Sequence, residues 1–84
     1  MVYVNIPYVP ENDRVDRGLT FRELEILDIN EAAKKEAFAA IYNKRPRGVD
    51  FSDPQQAVRL QNALHNLGVP YRQSPESEYK YEGL

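Results

Sequence analysis

The sequence predicts an α+β domain: a small sheet of about three strands, with two principal helices packed on one face. Three observations predict it. Val2, Val4, Ile6 and Tyr8 occupy alternate positions, the period of a strand. Residues 31–43 carry five alanines together with Glu and Lys, a composition of high helix propensity. Asp53-Pro54 then opens a second amphipathic run that closes on Gly68.

The first strand spans residues 2–9. Pro7 and Pro10 cannot donate to a ladder, so this strand is expected to be short or at an edge. Its second face carries Tyr3 and Asn5. The alternative for residues 1–18 is an extended arm that docks on another molecule, ending in the polar loop 11–18. Residues 20–27 are expected to be a second strand, because Arg22, Leu24 and Ile26 alternate. Thr20 with Glu23 offers a helix start instead, since a hydroxyl and a carboxylate three residues apart can form a capping box. Asp28 with Glu31 makes another such box, directly before the clear helix of 31–43.

That helix presents Ala33, Ala37, Ala40 and Ile41 as one stripe, broadened by Phe38, with Lys34 and Lys35 opposite. Lys44 and Arg45 complement its C-terminus, and Pro46 stops it. Residues 47–51 are read as a connector whose Val49 and Phe51 turn inward. In the second helix Asp53 is the N-cap, Pro54 takes the first position and Gln56 completes a box. Ala57, Leu60, Leu64 and Leu67 form its stripe, with Ala63 beside them. Gly68 ends it, and Val69 folds back toward Leu64. Residues 69–73 follow as a short strand, with Pro70 again favouring an edge. Residues 74–84 read as a flexible acidic tail beyond a single domain of residues 1–73. The expected core is Val4, Ile6, Leu24, Ile26, Ala33, Ala37, Phe38, Ile41, Val49, Leu60, Leu64 and Leu67. The run Asp53–Gln73, a capped helix closing on Gly-Val and a strand, resembles the last helix and strand of the ribosomal stalk protein's C-terminal domain. That resemblance covers a quarter of the chain and implies no function.

Composition bounds the chemistry. The 84 residues fit one domain. There is no Cys, which excludes disulfides and thiolate sites, and one His, which excludes a multi-histidine metal centre. No apolar stretch reaches the length of a membrane span and no secretory leader pattern is visible, so a soluble, cytoplasmic chain is expected. No cofactor or metal is expected. His65 flanks the second helix stripe without a nucleophile context, and Ser52 reads as part of a helix start. Glu23, Glu25, Asp28 and Glu31 lie close in sequence but lack a calcium-loop spacing. Four scattered glycines build no phosphate loop. No enzyme is expected.

Charge and tyrosine placement point to macromolecular partners. The net charge of −2 is unevenly spread. Residues 1–43 hold five Lys/Arg against eight Asp/Glu, residues 44–73 hold five against two, and residues 74–84 hold one against three. Six tyrosines outnumber three Phe, and four of the six lie near the termini. Tyr and Arg are enriched at interface cores. The leading expectation is therefore a protein-interaction module: an accessory subunit, adaptor or inhibitor, of the kind viruses and mobile elements also make. It would bind a partner through Tyr3, Tyr8, Tyr71, Arg72, Tyr79 and Tyr81. An edge strand would also allow pairing with a second copy. The first alternative is a nucleic-acid-associated protein using Lys44, Arg45, Arg47 and Arg72. The second is a structural subunit of a larger assembly such as a virion, with residues 1–18 as its arm.

Overall fold

Val2–Ile6 forms strand β1, where β-branched and aromatic side chains favour the pleated backbone. The computed structural model describes residues 1–7, 22–43 and 45–79. Tyr8, Lys44, Tyr81 and most of the expected arm and polar loop lie outside the described residues. The remaining elements are helix α1 (Glu31–Tyr42), strand β2 (Arg47–Phe51), helix α2 (Pro54–Leu67) and strand β3 (Arg72–Ser74). The sheet order is β2-β1-β3, and β1 runs antiparallel to both neighbours. β2 and β3 are therefore parallel, joined by α2 across the antiparallel strand between them, as in a split β-α-β unit. The α+β class stands.

The strand assignment changes in four places. β1 is the central strand, not an edge. Pro7 sits just past its last paired residue, so its missing N–H costs no ladder bond. The connector 47–51 is a strand, and it pairs residue for residue with β1 from Arg47↔Ile6 to Phe51↔Val2. The expected strand 20–27 is not one: residues 22–25 make a single helical turn, closed by the Ile26 N–H on the Arg22 carbonyl at 3.2 Å. Ile26 is consequently 74% exposed and leaves the expected core, while Leu24 stays in it and Ile29 joins it. The third strand begins later than expected, at Arg72, because Val69 serves the helix end and is buried.

Both helices cover one sheet face, α1 against β2 and α2 across β1 and β2. The cross-strand pairs Val4↔Val49 and Val2↔Phe51 put four apolar side chains under them. Val4, Ile6, Val49 and Phe51 interlock there with Ala33, Ala37, Leu60 and Leu64. The alanines let α1 approach β2 closely. Phe38 and Leu67 pack against this core from its margin, partly buried, as do Tyr42 and Tyr71. Ala40, Ala57 and Ala63 are buried too.

The helix ends follow local chemistry. Asn30, not Asp28, caps α1: its side chain accepts from the Ala33 N–H at 2.7 Å. Ile29, the residue before this cap, is buried. Asp53 caps α2 through the Gln55 N–H at 2.9 Å. Gln56 closes no box. Its Oε1 instead accepts from the Asn30 backbone N–H and from Asn30 Nδ2, joining the two helix starts. Gly68, at φ 75°, takes the left-handed conformation that only glycine adopts freely. Its N–H reaches the His65 carbonyl, and the Val69 N–H reaches that of Leu64, a Schellman ending.

Truncating a central core residue and an exposed one separates these placements. Leu60→Ala should cost about 2–5 kcal/mol by urea unfolding. Ile26→Ala should stay within about 0.5 kcal/mol. A loss at Ile26 comparable to that at Leu60 would put residues 22–27 back into the core.

Candidate functional site

The sheet face away from the helices carries every second residue of each strand: Tyr3 and Asn5 from β1, Gly48 and Asp50 from β2, Arg72 and Ser74 from β3. Both helices being spent on the other face, this one is covered by the chain following β3. Residues 75–79 cross it as a strap. The segment expected to be a flexible tail therefore divides: residues 74–79 pack, and 80–84 lie outside the described residues.

Asn5 anchors the strap. It is fully buried, which a polar amide tolerates only when its hydrogen-bonding groups are met. Its Oδ1 accepts from the Glu78 backbone N–H at 2.9 Å, and its Nδ2 donates to Ser74 Oγ at 2.6 Å. The first bond fixes the amide orientation, because only the oxygen can accept. Ser74 Oγ in turn donates to the Glu76 carbonyl. Ser77 Oγ donates to the Tyr79 carbonyl at 2.9 Å and accepts its N–H at 3.2 Å, which turns the chain tightly over β2. Gly48 lies beneath that turn. A Cβ there would fall on Ser77 Oγ and stand 2.8 Å from Asn5 Oδ1, so the close approach requires glycine.

The rim of this face is charged and aromatic. Arg72 is exposed and pairs with the Glu78 carboxylate. Its hydrogen bond to Glu78, with that carboxylate's charge and a smaller contribution from Tyr79, raises the guanidinium above its ordinary pKa. Tyr79 thus stands beside Arg72, half-buried. Tyr3, half-buried, lies between Asp50 and Ser74 in register. Three of the side chains singled out in the sequence therefore share one face: Tyr3, Arg72 and Tyr79. Tyr71 does not join them, since it packs against the helix-side core.

The basic connector is dispersed. Arg47 is buried on the helix side of β2, with its Nε 3.8 Å from Glu36 Oε2, while Arg45 is exposed. Arg72 is held by Glu78. The acidic cluster disperses likewise: Asp28 faces Arg59 at 3.9 Å and Glu31 faces Lys34 at 3.6 Å. His65 is exposed in the last turn of α2. Among the described residues no helix is long and apolar enough to cross a membrane. Sequence reasoning missed Asn5 and Gly48. Their only signal was their place on the second face of strands whose first face is apolar.

No protein-family model, curated protein or solved structure matches this chain.

The strap contact is open to a double-mutant cycle. Gly48→Ala should destabilise by about 1–3 kcal/mol, as overpacking does. Ser77→Gly, which removes the atoms the new methyl meets, should restore a large part of that loss. Asn5→Ala should cost about 1–3 kcal/mol by leaving the Glu78 N–H unmet. Additive effects of G48A and S77G in urea melts would show that the strap does not lie on Gly48.

Proposed function

We propose that this chain is a non-enzymatic protein-interaction module that binds a partner protein through the sheet face bearing Tyr3 and Arg72, which the strap residue Tyr79 adjoins. The observation that supports the reading is their convergence. A half-buried tyrosine, Tyr3, and an exposed arginine, Arg72, share the sheet face away from the helices, and the half-buried Tyr79 of the strap stands beside that arginine. Tyrosine and arginine side chains supply contact area and directional hydrogen bonds, and they are enriched among the residues that dominate interface energetics. Burial of Asn5 beneath them supplies a rigid base.

Protein is favoured over nucleic acid as the partner. A phosphate-binding surface needs several uncommitted cations on one face. Of the four basic residues considered for that role, Arg47 is buried against Glu36 on the helix side of the sheet, while Arg72 lies on the opposite face.

Affinity purification from the native host tests the reading, using the whole chain as bait beside a Tyr3→Ala/Arg72→Ala double variant. The expected outcome is a stoichiometric, nuclease-resistant partner on the parent chain, depleted at least tenfold on the variant, with both baits giving the same circular dichroism. Equal capture by both would remove this face from the interaction. Capture that vanishes on nuclease treatment would replace protein with nucleic acid.

A further inference from the structure

Residues 75–79 occupy the centre of the same face, and their contacts are those of a bound peptide. The segment crosses the strands as a series of bends. One backbone N–H, from Glu78, is received by a buried side chain, Asn5. A small residue, Ser77, enters the space that Gly48 leaves open. A carboxylate, Glu78, meets the rim guanidinium of Arg72. An aromatic ring, Tyr79, closes the run beside that guanidinium. Helix packing on the other face rests on apolar burial, whereas this segment is fastened by hydrogen bonds and one exposed ion pair.

We propose that the strap is a built-in pseudo-ligand, and that the face beneath it receives a short acidic segment of a partner protein, a small residue followed by a carboxylate and an aromatic. This rests on the reading of the face as an interaction surface and names its ligand class. The receptor side is made by Asn5, Gly48 and Arg72, all on strands of the sheet and so held rigidly. Asn5 reads the backbone N–H, which any peptide other than proline offers at that position. Gly48 admits only a small side chain opposite it. Arg72 selects the carboxylate through a charge-assisted bond. While the chain's own Ser77 and Glu78 fill these places, a competing segment gains access only in the fraction of molecules whose strap is open, so its apparent affinity falls by that fraction. The strap thereby sets a threshold: weak acidic segments are excluded, and a partner must exceed the local concentration of a tethered competitor.

One substitution releases both anchors without touching the receptor. Glu78→Pro removes the N–H that Asn5 accepts and the carboxylate that Arg72 holds. The probe is a fluorescently labelled hexapeptide, Ser-Pro-Glu-Ser-Glu-Tyr, the sequence of residues 74–79, titrated against the full-length chain by anisotropy. Hydrogen exchange at the Tyr79 amide, bonded to Ser77 Oγ in the closed strap, reports opening. The expected result is faster Tyr79 exchange in E78P and peptide binding at least about tenfold tighter than to the parent chain. Replacing the peptide's second Glu by Gln, or adding Asn5→Ala to the E78P protein, should reverse the gain. Tyr79 exchange unchanged in E78P would show that these anchors do not hold the strap. Faster exchange with no peptide binding would show that the uncovered face is not a receptor for this chemistry. Both results overturn the proposal. Partner capture that still depends on Tyr3 and Arg72 would in that case leave the interaction reading standing with a different ligand.

Discussion

Strand β1 must be buried on both of its faces, and most of the structure follows from that. It has a ladder partner on each side, two helices on one face and the strap on the other. On the helix side the requirement is simple, and Val4 and Ile6 meet it with apolar bulk. On the strap side an apolar residue would have served a core but not a five-residue segment whose backbone still needs partners. Asn5 meets the second requirement because its amide both donates and accepts, each once, to residues 69 and 73 positions away. A buried amide satisfied at both atoms fixes the position of what it touches. Removing either partner while the strap stays closed would leave a polar group in the interior, which is more costly than the bond itself is favourable. Gly48 follows as a corollary: the strap can reach Asn5 only if the neighbouring strand gives up its side chain.

The helices were legible because their signals are local. Alanine content, Asp53-Pro54 and Gly68-Val69 act within a few residues of themselves, and tertiary context left them in place. The sheet was legible only in part, because pairing is decided far along the chain. Arg22, Leu24 and Ile26 alternate as well as Arg47, Val49 and Phe51 do. What separates them is that the second triplet lies opposite β1 in register, whereas Leu24 and Ile29 reach the core from a helical turn and a loop. The same limit hid the candidate site. Alternation marks Asn5 and Gly48 as belonging to a polar face, and a polar face reads as solvated unless something is known to cover it. The cover itself, Ser74 to Tyr79, has the composition of a tail because it contributes little apolar area. Its backbone and hydroxyl groups do the fastening, and composition does not record those.

The two sides of the sheet are consequently held by different forces. Helix packing buries aliphatic and aromatic surface and is lost only when the domain unfolds. The strap is held by a handful of hydrogen bonds and an ion pair at the surface, each of modest net worth in water. Segments fastened in that way open locally at a free energy well below that of global unfolding. A face with rigid strands beneath and a lightly held cover is suited to exchanging its cover for another segment, which is the property the proposed interaction needs.

The distribution of charge along the chain acquires a different meaning in three dimensions. Taken linearly, an acidic first half, a basic middle and an acidic end look like separate fields that could attract separate partners. In the folded chain the three blocks meet. Arg47 and Arg59 from the middle face Glu36 and Asp28 from the first block, and Arg72 faces Glu78 from the last. Each pair is weak where solvent reaches it, so their joint effect lies less in stability than in cancelling the field of the basic block. With Arg47, Arg59 and Arg72 each facing a carboxylate of the same chain, the basic block has less long-range attraction for a polyanion than its linear charge suggests. Its selectivity must come from short-range geometry. The position where such geometry is densest is the one where a cation, a tyrosine and a buried amide share a sheet face under a segment of the chain itself.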